Sequence, residues 1–116
     1  MAKFTAVVPG TIDRFWKYLD RNTVKLGTTA TLEDQVSGSA DGVKYKVCTY
    51  ERYAVMGENR VSLSVFMIEY SEGVKIVATA SGGSTGAFIK INHWSEDNFL
   101  SVFEDLVKAY NMKAKR

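Results

Sequence analysis

The sequence predicts a single α+β domain over residues 1–116: a strand, a helix, a five-stranded antiparallel meander and a closing helix, with the helices packed on one face of the sheet. Two observations predict it. Apolar residues recur at helical spacing near each end of the chain, over 11–21 and 95–112. Between them, residues 29–92 alternate in period two and are broken by Asp41-Gly42, Gly57-Glu58-Asn59 and Glu72-Gly73.

Residues 3–8 alternate as a strand does, with Phe4, Ala6 and Val8 on one side. Pro9-Gly10 stops the strand, and Thr11 offers a hydroxyl to accept an orphan amide of the helix that follows. Ile12, Phe15, Trp16 and Leu19 fall at i, i+3, i+4 and i+7, so four large apolar groups share a face. Asp13, Arg14, Lys17, Asp20 and Arg21 fall mostly on the other side, which predicts a solvated surface. In the meander, residues 29–36 put Ala30, Leu32 and Val36 on one face, although Asp34 interrupts it. Asp41-Gly42 is a two-residue hairpin signal, because both central residues of a type I′ turn need positive φ. Residues 43–56 are long for one strand and predict a bend or a bulge. Over 60–70, Val61, Leu63, Val65 and Met67 alternate with Arg60, Ser62, Ser64 and Phe66. Residues 74–81 follow the turn at Ser71-Glu72-Gly73, and 87–92 resume the pattern after a glycine-rich break. With the N-terminal strand this makes six.

Ser95 opens the last helix, with Glu96 and Asp97 in the first turn, where the helix dipole favours negative charge. Its stripe is Phe99, Phe103, Leu106 and Tyr110, widened by Leu100, Val102 and Val107 into a main core element. The order and length are similar to a compact helix-grip architecture, in which a curved sheet wraps a long C-terminal helix. A flatter open sheet with both helices behind it is the rival.

With 116 residues, 46% hydrophobic and 24% charged, the chain has ordinary globular composition. A domain of this size buries about two thirds of its unfolded surface and stands without disulfides or a structural metal. Cys48 is the sole cysteine, no secretory pattern opens the chain, and no apolar run approaches the roughly 20 residues of a membrane span. A cytoplasmic protein with no membrane span is expected. The formal charge of +2 conceals an asymmetry: Lys108, Lys113, Lys115 and Arg116 all follow the last acidic residue, Asp105. Without those four the balance turns negative. Such a short basic C-terminal tail complements a helix dipole, whereas a nucleic-acid binder spreads basic residues over one face of its fold. No nucleic-acid partner is expected.

Two places invite chemistry. The strand Lys44-Tyr45-Lys46-Val47-Cys48-Thr49-Tyr50-Glu51-Arg52-Tyr53 sends Cys48, Tyr50 and Arg52 to one face, and Thr49, Glu51 and Tyr53 to the other. Neither face is cleanly apolar. In a cavity, Arg52 would fix an anionic group while Tyr50 or Tyr53 supplied an apolar wall with a polar tip. Otherwise these stems simply cover sheet. The second place is Ser81-Gly82-Gly83-Ser84-Thr85-Gly86, whose amides suit an anion-binding nest centred on Gly82, Gly83 and Ser84. It lacks the Lys and the following helix of a phosphate loop, so a bulged hairpin connection is the competing account.

Other residues carry less. His93 is the only histidine and has no carboxylate to pair with by spacing. One His and one Cys far apart make no metal-ligand set, and no cofactor motif is present. Cys48 has no nucleophile motif around it. Glu33 and Asp34 are neighbours on a strand and face opposite ways.

Taken together, Ala30-Thr31-Leu32-Glu33-Asp34, Tyr50-Glu51-Arg52-Tyr53, Asn59-Arg60-Val61-Ser62-Leu63, Ser81-Gly82-Gly83-Ser84 and Phe88-Ile89-Lys90-Ile91-Asn92 resemble a family of small bacterial proteins, domain of unknown function 6054. The order and spacing of the blocks carry the resemblance, which covers nearly the whole chain. It implies a bacterial, cytoplasmic, single-domain protein and brings no activity, cofactor or catalytic residue.

The resulting expectation is a non-enzymatic module that binds a small apolar or anionic ligand between sheet and C-terminal helix, using Tyr50, Arg52, Tyr53, Gly82, Gly83 and Ser84. The alternative is a homodimeric interaction protein that uses an exposed sheet face or edge. An enzyme is the third reading, and it would need His93, Arg52 or a carboxylate to converge in a pocket.

Overall fold

The computed structural model describes residues 2–53, 60–82 and 94–114. Strand β1 (Ala2–Val8) ends at Pro9, and Gly10 turns the chain at φ 90° into helix α1 (Ile12–Arg21). Two side chains cap this helix. The Thr11 hydroxyl accepts from the Arg14 amide at 3.2 Å, and the Glu69 carboxylate accepts from the Ile12 amide at 2.8 Å. The second contact reaches across the fold and ties the helix start to the sheet, and a carboxylate is the favourable charge there.

A 3₁₀ turn (Thr23–Leu26) leads through Gly27 to β2 (Thr31–Ala40), β3 (Val43–Tyr53), β4 (Arg60–Tyr70), β5 (Gly73–Gly82) and the long helix α2 (Trp94–Ala114). All pairings are antiparallel, and the sheet order is β1-β5-β4-β3-β2. The class is α+β, as predicted, with an open five-stranded sheet and two helices. Asp41 and Gly42 both have positive φ, at 52° and 79°, as the hairpin signal requires. The expected strand over 87–92, the turn at 57–59 and the end of the long third segment at 54–56 lie outside the described residues.

The inner face of the sheet carries Val61, Leu63, Val65 and Met67 from β4, and Val74, Ile76, Ala78 and Ala80 from β5, all buried. Against them pack Ile12, Phe15 and Leu19 of α1 and Phe99, Phe103, Leu106 and Val107 of α2, in one continuous core. Each of the larger side chains contributes about 1.5–3 kcal/mol by leaving water. Helix α2 lies over β1, β5 and β4, while α1 lies over β4 and β3. The helices lock to each other through aromatic rings: Phe15 meets Tyr110 edge-on at 5.1 Å, and Tyr18 lies 4.8 Å from Tyr110. The Tyr18 hydroxyl also donates to the Leu106 carbonyl at 2.6 Å.

One register expectation is overturned. Leu32 faces inward and Val36 outward, 55% exposed, because the β2–β3 register shifts between Leu32 and Asp34. The extra residue, Glu33, is a β-bulge, and one inserted residue exchanges the faces of everything after it.

Candidate functional site

The predicted strand lies where the sequence put it, and its two faces divide as period two requires. Lys46, Cys48, Tyr50 and Arg52 form a polar row on the helix-facing side of β3, and all four are buried. A core face of this composition stands out against those of β4 and β5, whose fully buried side chains are all apolar.

Each group in the row is held differently. The Lys46 ammonium donates to the Gln35 side chain at 2.8 Å and sits 4.2 Å from the centre of the Trp16 ring. Among the described residues no carboxylate pairs with it. The Arg52 guanidinium donates from Nη1 to the Leu26 carbonyl at 2.6 Å and lies 4.4 Å over the Phe99 ring. Burial lowers its pKa, yet an arginine stays charged. Gly27 makes room for it, since a Cβ there would come within 3.0 Å of both Cδ and Nη1 of Arg52.

Between the two cations lie a thiol and a phenol. Burial pushes the Cys48 thiol up to about 12, with the Lys46 charge and the nearby Tyr50 hydroxyl pulling weakly the other way. Such a thiol is protonated at neutral pH and is no nucleophile. Burial also raises the Tyr50 pKa, reinforced by Cys48 and Asp20. The Tyr50 hydroxyl is fully enclosed, with the Cys48 and Thr23 side chains close by. Among the described residues it has no partner in hydrogen-bonding geometry. Buried polar groups normally find one, so an enclosed phenol without a partner asks for an explanation.

The other predicted residues separate. Tyr53 is on the opposite face, 52% exposed, with its amide donating to Thr29 Oγ1 at 3.0 Å. Gly82 ends β5 at φ 103°, in register with Val61, which in turn pairs with Arg52. Arg52 and Gly82 therefore share one cross-strand row, two strands and about 10 Å apart. A Cβ at Gly82 would meet the Arg60 carbonyl at 2.9 Å, so close strand packing explains this glycine. Gly83, Ser84 and His93 lie outside the described residues.

The family model described as a family of unknown function, DUF6054, matches residues 1–111. The chain belongs to the DUF6054 family. The resemblance read from the five sequence blocks is thereby shown. No curated protein matches the chain.

One surface of this DUF6054 protein escaped the sequence reading, and another, an exposed sheet face, was expected without its residues. The first is a groove of about 350 Å³ between α1 and the end of α2, lined by Pro9, Arg14, Tyr18, Arg21, Tyr110 and Lys113. Arg14, Tyr18 and Arg21 at i, i+4 and i+7 were the available signal, because that spacing places them on one side of the helix. The second is the outer sheet face. There the registers align Val36, Val47, Phe66 and Val77 in one cross-strand row. Val36 and Phe66 are exposed, and Val47 and Val77 are half-buried. Beyond this row, Arg60 bridges Glu51 at 2.9 Å and Glu33 at 3.5 Å. No described helix is long and apolar enough to cross a membrane. Among the described residues no cluster of three or more His, Cys, Asp or Glu could hold a metal ion.

Proposed function

We propose that this DUF6054 protein is a non-enzymatic module that binds a small ligand between the core face of β3 and the helices. The observation that supports it most is the Tyr50 hydroxyl, enclosed and without a hydrogen-bonding partner among the described residues, in a row with two buried cations. A ligand oxygen there would accept from Tyr50 and lie near positive charge, so an anionic or carbonyl-bearing molecule with an apolar body fits the chemistry. Gly82, with Gly83 and Ser84 following it in sequence, would approach the same end of the sheet as Arg52. We further propose a bacterial cytoplasmic setting, supported by the family resemblance and by the free, buried Cys48.

Native mass spectrometry of freshly purified protein, compared with its denatured mass, tests this reading. A non-covalent mass increment that is lost on denaturation, and absent from Tyr50→Phe, is the expected result. A bare mass in the wild type, with no compound from a metabolite-like library raising its melting temperature, overturns it.

A second reading has its own observation. The apolar row Val36, Val47, Phe66 and Val77 lies on a face that no described helix covers, and it favours a homodimer packed face to face. The variant to use is Phe66→Asp, because Tyr50 points to the helices and does not report on this face. Light scattering should show a wild-type dimer and a Phe66→Asp monomer. A monomeric wild type at high micromolar concentration removes the reading.

A further inference from the structure

The groove between α1 and the end of α2 combines three features. Its walls are preformed: the Tyr18 hydroxyl donates to the Leu106 carbonyl, and the Phe15, Tyr18 and Tyr110 rings pack together, so the two helices cannot part without losing these contacts. Its volume, about 350 Å³, is at the lower end of the range of about 300–1,000 Å³ for small-molecule sites. Its charge has one sign. Arg14, Arg21 and Lys113 line it, no described acidic side chain does, and none of the three pairs with a carboxylate among the described residues.

Local helix electrostatics explains two of these cations and fails on the third. Arg21 and Lys113 stand in the last turns of their helices, where positive charge complements the dipole. Arg14 stands in the first turn of α1, where the dipole disfavours it. Its side chain lies against Gly10 and lines the groove, with no carboxylate paired to it among the described residues. Arg14 and Arg21 are seven residues apart, which places them about 10 Å from each other along the helix axis. Lys113 adds a third charge from the opposite helix, and Tyr18 and Tyr110 floor the space between.

We propose that this groove binds an elongated small molecule with two anionic groups, one at Arg14 and one at Arg21, its body lying over Tyr18 and Tyr110. Phosphates and carboxylates share the required chemistry, and arginine takes either in bidentate fashion.

Isothermal titration of the protein with hexanediol bisphosphate and with hexyl monophosphate, at low ionic strength, is the test. The bisphosphate should bind about tenfold more tightly, the scale expected for one added charge-assisted contact. Arg14→Gln and Arg21→Gln should each erase that difference. Lys17→Gln should keep it, since Lys17 lies between them on the exposed helix surface but does not line the groove. Tyr50→Phe should also keep it, which separates this site from the one on β3. Unchanged circular dichroism melting confirms that the variants fold, as all three cations are exposed. Equal losses for Lys17→Gln and Arg14→Gln overturn the proposal in favour of a diffuse field. So does binding to anionic phosphatidylserine vesicles with none to the bisphosphate, or no binding of either phosphate at millimolar concentration.

Discussion

Of the described glycines, Gly73 leaves the least room for a side chain. Its φ is 142°, and a Cβ there would stand 2.3 Å from the Val8 carbonyl oxygen, because the end of the neighbouring strand β1 packs directly against it. Gly73→Ala should therefore cost about 2 kcal/mol or more, combining a strained backbone with a backbone collision. Gly42→Ala, with positive φ but open space around it, should cost only about 1 kcal/mol. Urea denaturation of both variants checks the order. Burial of the Cys48 thiol gives stability a definite pH dependence. Its folded pKa, about 12, exceeds its ordinary 9.0, so the protonated form is favoured by folding. That contribution is complete below pH 9 and is lost as pH rises from 9.0 toward about 12. Stability should fall in that window by up to about 1.4 kcal/mol per pH unit, with Tyr50 adding in the same direction at its upper end. Thermal melts across that range should show the decline, and Cys48→Ala should flatten its first part. The face assignments of Cys48, Tyr50, Arg52 and Tyr53 were legible from period two alone. That the Arg52 head would reach the Leu26 carbonyl and the Phe99 ring was not, because those partners are brought in by the 3₁₀ turn and α2, far away in sequence.

The elements behave as amphipathic units joined by specific side-chain contacts. The start of α1 depends on the Glu69 carboxylate as much as on its own Thr11, so Glu69→Ala should cost about 1 kcal/mol, seen as a lower urea midpoint with unchanged slope. Tyr18→Phe should cost about 0.5–1.5 kcal/mol by removing the donor to Leu106. Both helices, the hairpin at Asp41-Gly42 and the inward alternation of β4 were readable because local spacing alone decides them. The outward turn of Val36 was not readable, since the bulge at Glu33 is a property of pairing with β3, and its one mark on the pattern of β2 is Asp34 interrupting the apolar face. The groove was missed for a related reason. Arg14 and Arg21 look solvated on an isolated helix and become a wall only when Tyr110 and Lys113 arrive from the other end of the chain.

At the scale of the molecule, one face of the sheet carries the whole hydrophobic core and the other carries an apolar row with no described helix over it. Edge strand β2 adds to this asymmetry. After Glu33 and Asp34 it runs without charge or proline to Ala40, and such an edge invites another strand. The order β1-β5-β4-β3-β2 also sets a schedule for biosynthesis. β1 leaves the ribosome before the other described strands, yet it has the last of them as its neighbour, with Val8 opposite Val74 and Ala2 opposite Ala80. Until residues 73–82 have emerged, β1 has no template, and the hydrophobic side of Phe4, Ala6 and Val8 must wait in the nascent chain. The β2–β3–β4 hairpins can meanwhile form by local closure, which is much faster than the long loop that brings the chain start home. Protease protection of stalled nascent chains should thus appear first in the meander and reach the N-terminus only once β5 is free.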